Sequence, residues 1–336
     1  MSLPERVVGL QRPTSGPLLD PFGRVHTYAR ISVTDRCNYR CTYCMPAAGL
    51  DWMPRAHLLT YEEIARIVAA LASMGVRRVR LTGGEPTIRR DIVQLVEKIA
   101  ATPGIEDLSM TTNGHLFAKH ARALADAGLQ RINVSIDTLD RDAFRRITRG
   151  GDVERVLGGI DAALAVGMGP VKLNTVVIRG QNDDQIEPLV AHFADRPEQI
   201  VVRFIEFMPF TAVDRLRHVP AAEIRERLQQ LYTLTPVPVV VGGGPGVTWR
   251  IEETGQRVGF ISPITEHFCE RCNRVRLQAD GHLRTCLSRE ALPSLREVLR
   301  GGADDAELEQ VIRERLWGKV AGHVGTFAGA MTSVGG

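Results

Sequence analysis

The chain has 336 residues, 44% of them hydrophobic and 24% charged, with a formal net charge of +3. That composition supports a large buried core and excludes a chain dominated by disorder. So small a positive excess also excludes nucleic-acid binding through bulk charge, though clustered arginines could still receive an anionic ligand. The opening MSLPERVVGLQRPTS lacks a basic region followed by an apolar run, and no apolar stretch reaches the ~18 residues of a membrane span, so a cytoplasmic protein away from membranes is expected.

β-rich runs alternate with helical patterns through the first two thirds, with strands predicted at 28–33, 77–82, 107–112, 131–136, 172–178 and 200–207. Between the first two, Thr60 and Glu63 form a capping box ahead of the periodic Ile64, Ile67, Val68 and Leu71, and Gly75 ends that helix. Further helices are expected at 92–101, 120–127, 153–166 and 185–194. Strand spacings near about 30 residues suit successive βα units and a parallel sheet. Asn133, Ser135 and Asp137 share one strand face while Ile132, Val134 and Ile136 share the other, and Lys172 and Asn174 repeat the polar face. In a barrel that face looks into the lumen and implies a polar ligand; for one strand alone, a half-exposed strand of an open sheet fits equally well. After Phe210 the rhythm breaks. A helix is expected at 221–231, β-like runs at 237–241 and 247–251 flank a glycine-rich turn at 242–246, and helices near 292–299 and 306–316 precede a small-residue end. This divides the chain into units of 1–215 and 216–336.

Six cysteines in a reducing compartment read as metal ligands or reactive thiols before disulfides. They form two trios. Cys37, Cys41 and Cys44 read CxxxCxxC in the loop after the first strand, where active-site residues of parallel barrels gather. Four cysteines saturate an iron–sulfur cluster, so three leave one iron open. A zinc site pairing Cys41 and Cys44 with the later CxxC would leave Cys37 and Cys286 without roles. Cys269, Cys272 and Cys286 again give three thiolates and no fourth; on residues alone, a zinc knuckle completed by His267 or His282 stays open. Between them Arg274 and Arg276 point to one side if the stretch is extended, as two planar donors suited to phosphate.

CxxxCxxC with Tyr43 before the last cysteine, followed by Gly83, Gly84, Glu85 and Pro86 behind the second strand, resembles the radical S-adenosylmethionine (SAM) superfamily. That resemblance implies an α/β fold with a partial (β/α)6 TIM-like barrel, SAM chelating the open iron of a [4Fe-4S] cluster, and reductive cleavage of SAM to a 5′-deoxyadenosyl radical. It further implies SAM contacts from Tyr43, Gly84, Ser135 and the backbone around Met208. RISVTDRCNYRCTYCMP, VRLTGGEP, MTTNG, INVSIDTLD, FIEFMP, FCERCNRVRLQADGHLRTCL and the terminal Gly-Gly resemble more narrowly the GTP 3′,8-cyclase family, the molybdenum cofactor biosynthesis protein A family. This implies a second [4Fe-4S] cluster on Cys269, Cys272 and Cys286 in a C-terminal domain, with GTP held by Arg30, Arg80, Thr111, Lys172, Arg274, Val275 and Arg276. The implied reaction removes the 3′ hydrogen of the ribose and joins C3′ to C8 of guanine, the second cluster anchoring the base. Gly335 and Gly336 are implied to reach the site and assist radical initiation. A homodimer is implied, as is transfer of the product to cyclic pyranopterin monophosphate synthase. Thr87, Ser288 and the stretch GHVGTFAGA depart from the family's pattern.

Overall fold

Period-two alternation builds a parallel sheet in the computed structural model, which describes residues 4–208, 212–238, 244–287, 289 and 291–322. Strands β1 (Tyr28–Ser32), β2 (Arg78–Thr82), β3 (Asp107–Thr112), β4 (Arg131–Ser135), β5 (Val171–Val177) and β6 (Ile200–Glu206) lie in that order, each parallel to the next. Helices α1 (Tyr61–Ser73), α2 (Ile92–Ala100), α3 (Phe117–Asp126), α4 (Arg141–Thr148), α5 (Val153–Ala165) and α6 (Ile186–His192) fill the connections. The predicted capping box opens α1: Glu63 N–H donates to Thr60 Oγ1 at 3.1 Å, and Thr60 N–H to Glu63 Oε2 at 2.7 Å. Gly75, at φ +93°, lets the chain turn out of α1 where a Cβ would be strained. Ile64, Ile67, Val68 and Leu71 are buried, and the sheet offers Ile31, Leu81, Met110, Ile132, Val134 and Leu173 to the same core.

Helix α4 was not expected. Its RDAFRRIT buries only Phe144, Ile147 and Thr148, too few apolar positions to show a helical period; its start is marked instead by Asp140, which accepts from Ala143 N–H at 2.6 Å.

The later chain holds α7 (Ala212–Arg215), α8 (Ala221–Gln229), β7 (Leu234–Pro236), β8 (Val247–Ile251), β9 (Arg257–Ile261), β10 (Arg274–Leu277), β11 (Leu283–Arg284), α9 (Leu295–Arg300) and α10 (Asp305–Trp317). It extends the sheet at both ends, in the order β11-β10-β1-β2-β3-β4-β5-β6-β9-β8-β7. Of the β-run expected at 237–241, residues 239–241 fall outside the described residues, as do 242 and 243; the strand described there is Leu234–Pro236, paired antiparallel with β8, and Val237 N–H still donates to Thr248 O at 2.9 Å.

Strand β9 lies parallel beside β6 and β10 parallel beside β1. The segment between them therefore runs from one edge of the six-stranded arc to the other, and it carries Cys269 and Cys272. Helix α10 packs on α1, where Arg66 meets Asp305 at 2.7 Å, and Arg300 of α9 meets Glu63 at 2.7 Å. Among the described residues no helix is long and apolar enough to cross a membrane.

Candidate active site

The cysteine loop after β1 is held by the turn after β2. Gly84 N–H donates to Thr34 O and Glu85 N–H to Arg36 O, both at 2.8 Å. A Cβ on Gly84 would stand 2.0 Å from the Arg36 carbonyl oxygen, so only glycine allows the loops this close. Glu85 is fully buried and gathers donors from two elements. Its Oε1 accepts from Thr87 N–H (3.0 Å), Thr87 Oγ1 (2.6 Å) and Thr112 Oγ1 (2.7 Å), and its Oε2 from Asn113 N–H (2.6 Å). Burial raises the Glu85 pKa even against those donors. Asn113 in turn donates to Asn38 Oδ1 at 2.8 Å, inside the cysteine loop. From the other side, Tyr43 donates its hydroxyl to Asp137 Oδ2 at 2.7 Å, and Asp137 Oδ1 accepts from Val176 N–H at 3.0 Å. Burial lifts the Asp137 carboxyl to about 6 and pushes the Tyr43 phenol up.

These loops surround a cavity of about 350 Å³ at the C-terminal ends of the parallel strands, and all six cysteines line it. The sequence separates the trios by more than two hundred residues; the crossing segment brings them to one space. Arg276 of β10, Arg30 of β1 and Arg80 of β2 occupy matched register positions on adjacent strands and line the same cavity. Burial lowers the Arg30 pKa strongly, and takes Arg276 to about 10, each helped by the charge of neighbouring arginines. Such crowding of buried cations suits a polyanionic ligand. Arg274 also lines the cavity, its guanidinium 4.7 Å from the centre of the Phe268 ring.

Gly84, Tyr43, Ser135 and Met208, expected at SAM, all line the cavity. So do Arg30, Arg80, Thr111, Arg274 and Arg276, expected at GTP. Val275 does not: strand alternation turns its side chain, 1% exposed, into the core on the opposite face. Lys172 is also absent from the lining; it shares a face of β5 with Asn174 and Val176 but lies nearer the strand's N-terminal end. Burial lowers its ammonium to about 7, with Arg203, Arg131 and Arg80 adding repulsion. Gly335, Gly336 and Ser288 lie outside the described residues.

Sequence reasoning missed Arg203, which lines the cavity from β6 and donates to Asn174 Oδ1 at 2.6 Å while its buried Nε has no partner among the described residues. Burial takes it to about 9. The signal was present in IVVRFIE, where one arginine interrupts an apolar strand. Glu206, at the end of β6, was also missed as a junction: it accepts from Ala221 N–H at 2.9 Å and from Ile264 and Thr265 N–H at 3.0 Å, tying α8 and the turn after β9 to the cavity rim.

The donor chemistry fits iron–sulfur clusters. None of the six cysteines is in a disulfide, and all are partly buried. Burial pushes the Cys37 thiol up to about 11 and raises Cys41 well above an ordinary thiol, so a bound cation would favour the thiolates of the first trio. At Cys272 burial also raises the pKa, but Lys319, Arg274 and Arg24 outweigh it and bring the thiol down to about 6. Among the described residues no three His, Cys, Asp or Glu side chains converge tightly enough for one metal ion; cluster thiolates each meet a separate iron and stand further apart.

Comparison with known proteins agrees with this geometry. The Radical SAM superfamily profile matches residues 31–193, and the Molybdenum Cofactor Synthesis C profile matches residues 200–324. A GTP 3′,8-cyclase of Rhodopseudomonas palustris (strain TIE-1) is 47% identical over 315 residues, covering 91% of this chain and 90% of the relative. One from Moorella thermoacetica is 45% identical, covering 90% and 94%. The crystal structure of Streptococcus suis SuiB bound to S-adenosylmethionine shares the fold, with a TM-score of 0.59 at 16% identity, covering 89% of this chain and 68% of that one. The chain therefore belongs to the GTP 3′,8-cyclase family of radical SAM enzymes.

Proposed function

We propose that this cavity performs radical SAM-dependent cyclisation of GTP to (8S)-3′,8-cyclo-7,8-dihydroguanosine 5′-triphosphate, an early step of molybdenum cofactor biosynthesis. The observation that carries the reading is one cavity lined by both cysteine trios and by a row of buried arginines between them. Cys37, Cys41 and Cys44 would hold a [4Fe-4S] cluster that, with SAM, would supply the electron and the 5′-deoxyadenosyl radical for removal of the ribose 3′ hydrogen.

The protein's own residues supply position and charge. Gly84 and Glu85 hold the cysteine loop; Ser135, Tyr43 and Met208 line the SAM end. Arg30, Arg80, Arg274 and Arg276 receive the triphosphate, with Thr111 as a neutral donor and Lys172 as a second row of charge behind them. Cys269, Cys272 and Cys286 would hold a second [4Fe-4S] cluster, which would anchor the guanine. Val275 contributes backbone only, since its side chain faces the core. The chain divides near 215 into a radical SAM partial-barrel unit, 1–215, which also gives Arg30, Arg80, Thr111 and Lys172 to the substrate, and a second-cluster and substrate-binding unit, 216–336, which ends in Gly335 and Gly336. A cytoplasmic homodimer that passes its product to cyclic pyranopterin monophosphate synthase completes the proposal.

Anaerobically reconstituted protein given SAM, GTP and reductant is expected to release 5′-deoxyadenosine together with the cyclised nucleotide. Turnover of other nucleotides or peptides, with GTP unreacted, would overturn the assignment.

A further inference from the structure

Two buried cations from opposite ends of the chain meet behind the second trio. Arg24 is locked by Asp20, its Nε donating to Oδ2 at 2.6 Å, and Asp20 is itself fully buried. Three more guanidinium donors go to main-chain carbonyls: Nη1 to Cys269 at 2.8 Å and Ala321 at 2.7 Å, Nη2 to Val320 at 2.8 Å. Lys319, 3% exposed, donates from Nζ to the carbonyls of Arg274, at 3.1 Å, and Thr285. Those carbonyls belong to each of the three cysteine-bearing pieces of chain: Cys269 itself, the second residue after Cys272, and the residue before Cys286.

The charges do not balance locally. Asp20 is engaged by Arg24 and by His26 Nε2 at 3.0 Å, and among the described residues no carboxylate lies within salt-bridge distance of Lys319. A buried ammonium satisfied only by neutral carbonyls is costly unless an anion lies near. The anionic groups that act on Lys319 are, first, the thiols of Cys272 and Cys286 and, more weakly than the repulsion from Arg24, the carboxylate of Asp20, which Arg24 and His26 already engage. Three thiolates on a doubly positive cluster core leave one net negative charge, the complement that this buried cation lacks.

We propose that Arg24 and Lys319 are positioning residues of the second cluster, clamping the backbone of its three-cysteine frame and supplying its positive counter-charge. This rests on the reading that the second trio carries a cluster. In a dry site a nearby cation favours the more negative, reduced state, so Lys319 holds that cluster's potential up. Arg24 sets the frame more than the charge, because Asp20 neutralises it.

The test is a potentiometric EPR titration of the reconstituted full-length protein, with the first cluster identified as the one whose signal changes when SAM is added. In Lys319→Met the cluster that ignores SAM is expected to move to a more negative potential while the other stays put, and Lys319→Arg restores it. Arg24→Ala is expected to lose the iron and sulfide of one cluster and keep SAM cleavage, with Arg24→Lys recovering part of the loading. Equal movement of both potentials, movement of neither, or no selective loss of iron overturns the inference. Lys319→Gln keeps a donor without the charge; if that variant loses both clusters and its helical signal, Lys319 holds the fold instead and the proposal fails. Wild-type protein that binds only one cluster's worth of iron sinks the underlying second-cluster reading, a failure visible before any variant is made.

Discussion

The two trios are built by opposite means. The first is held by close backbone packing against the Gly83–Gly84 turn and by buried acids: Glu85 ties the loops after β2 and β3, and Asp137 anchors Tyr43. The second is held by buried cations, with Arg24 and Lys319 on its carbonyls and Arg274 and Arg276 in its midst. Burial, with the charge of Glu85 adding to it, lifts the Cys37 thiol, whereas at Cys272 the cations Lys319, Arg274 and Arg24 outweigh the same burial and bring the thiol down. The difference teaches that an identical count of ligands can be supported by sterics at one site and by charge at the other, so different substitutions should break them.

The largest effect separates the trios outright. Replacing Cys37, Cys41 and Cys44 together by serine is expected to abolish 5′-deoxyadenosine formation altogether. The same change at Cys269, Cys272 and Cys286 should end nucleotide cyclisation while leaving measurable SAM cleavage; equal loss in both triple variants would erase the contrast. Next in size, Gly84→Ala forces a Cβ into the Arg36 carbonyl. It should lower stability by about 3 kcal/mol in denaturant unfolding and reduce loading of the first cluster selectively. An alanine variant as stable and as SAM-active as the parent would show the packing to be incidental.

Smaller effects belong to the substrate end. Arg276→Ala removes one charged donor from the row on β10, β1 and β2, and should raise the GTP KM about tenfold or more with little change in SAM cleavage without GTP. An effect on kcat alone would place Arg276 at the cluster and not at the phosphates. The smallest is a pH effect at Lys172, whose ammonium, lowered to about 7, is present below that pH and lost above it. Between pH 6 and 7.5 the protonated fraction falls to about a quarter, so GTP affinity should weaken roughly threefold to fourfold. Lys172→Arg should flatten that profile at high affinity and Lys172→Met at low affinity.

Much of this was legible in the chain. Cys37, Cys41 and Cys44 declared themselves by spacing, because short loops are the cheapest way to converge three thiolates. The six parallel strands declared themselves by alternation, and Thr60 with Glu63 marked the start of α1 to the residue. Arg203 and Glu206 were legible only in hindsight: a lone arginine in an apolar strand carries no address until its neighbours are known. Arg24 and Lys319 carried no signal, and Glu85 was marked by its motif but not as the tie between loops, since each acts through groups brought from distant segments.

The sequence by itself determined the ligand types, the βα rhythm and the family, because spacing and periodicity are local and survive in one dimension. Only the tertiary structure decided that both trios share one cavity, that Arg30, Arg80 and Arg276 stand in register, and that Val275 turns away while its neighbours turn in. Those outcomes depend on which strand edges meet, and the meeting of β10 with β1 and β9 with β6 is fixed by burial summed over the whole sheet, which no short stretch of residues encodes.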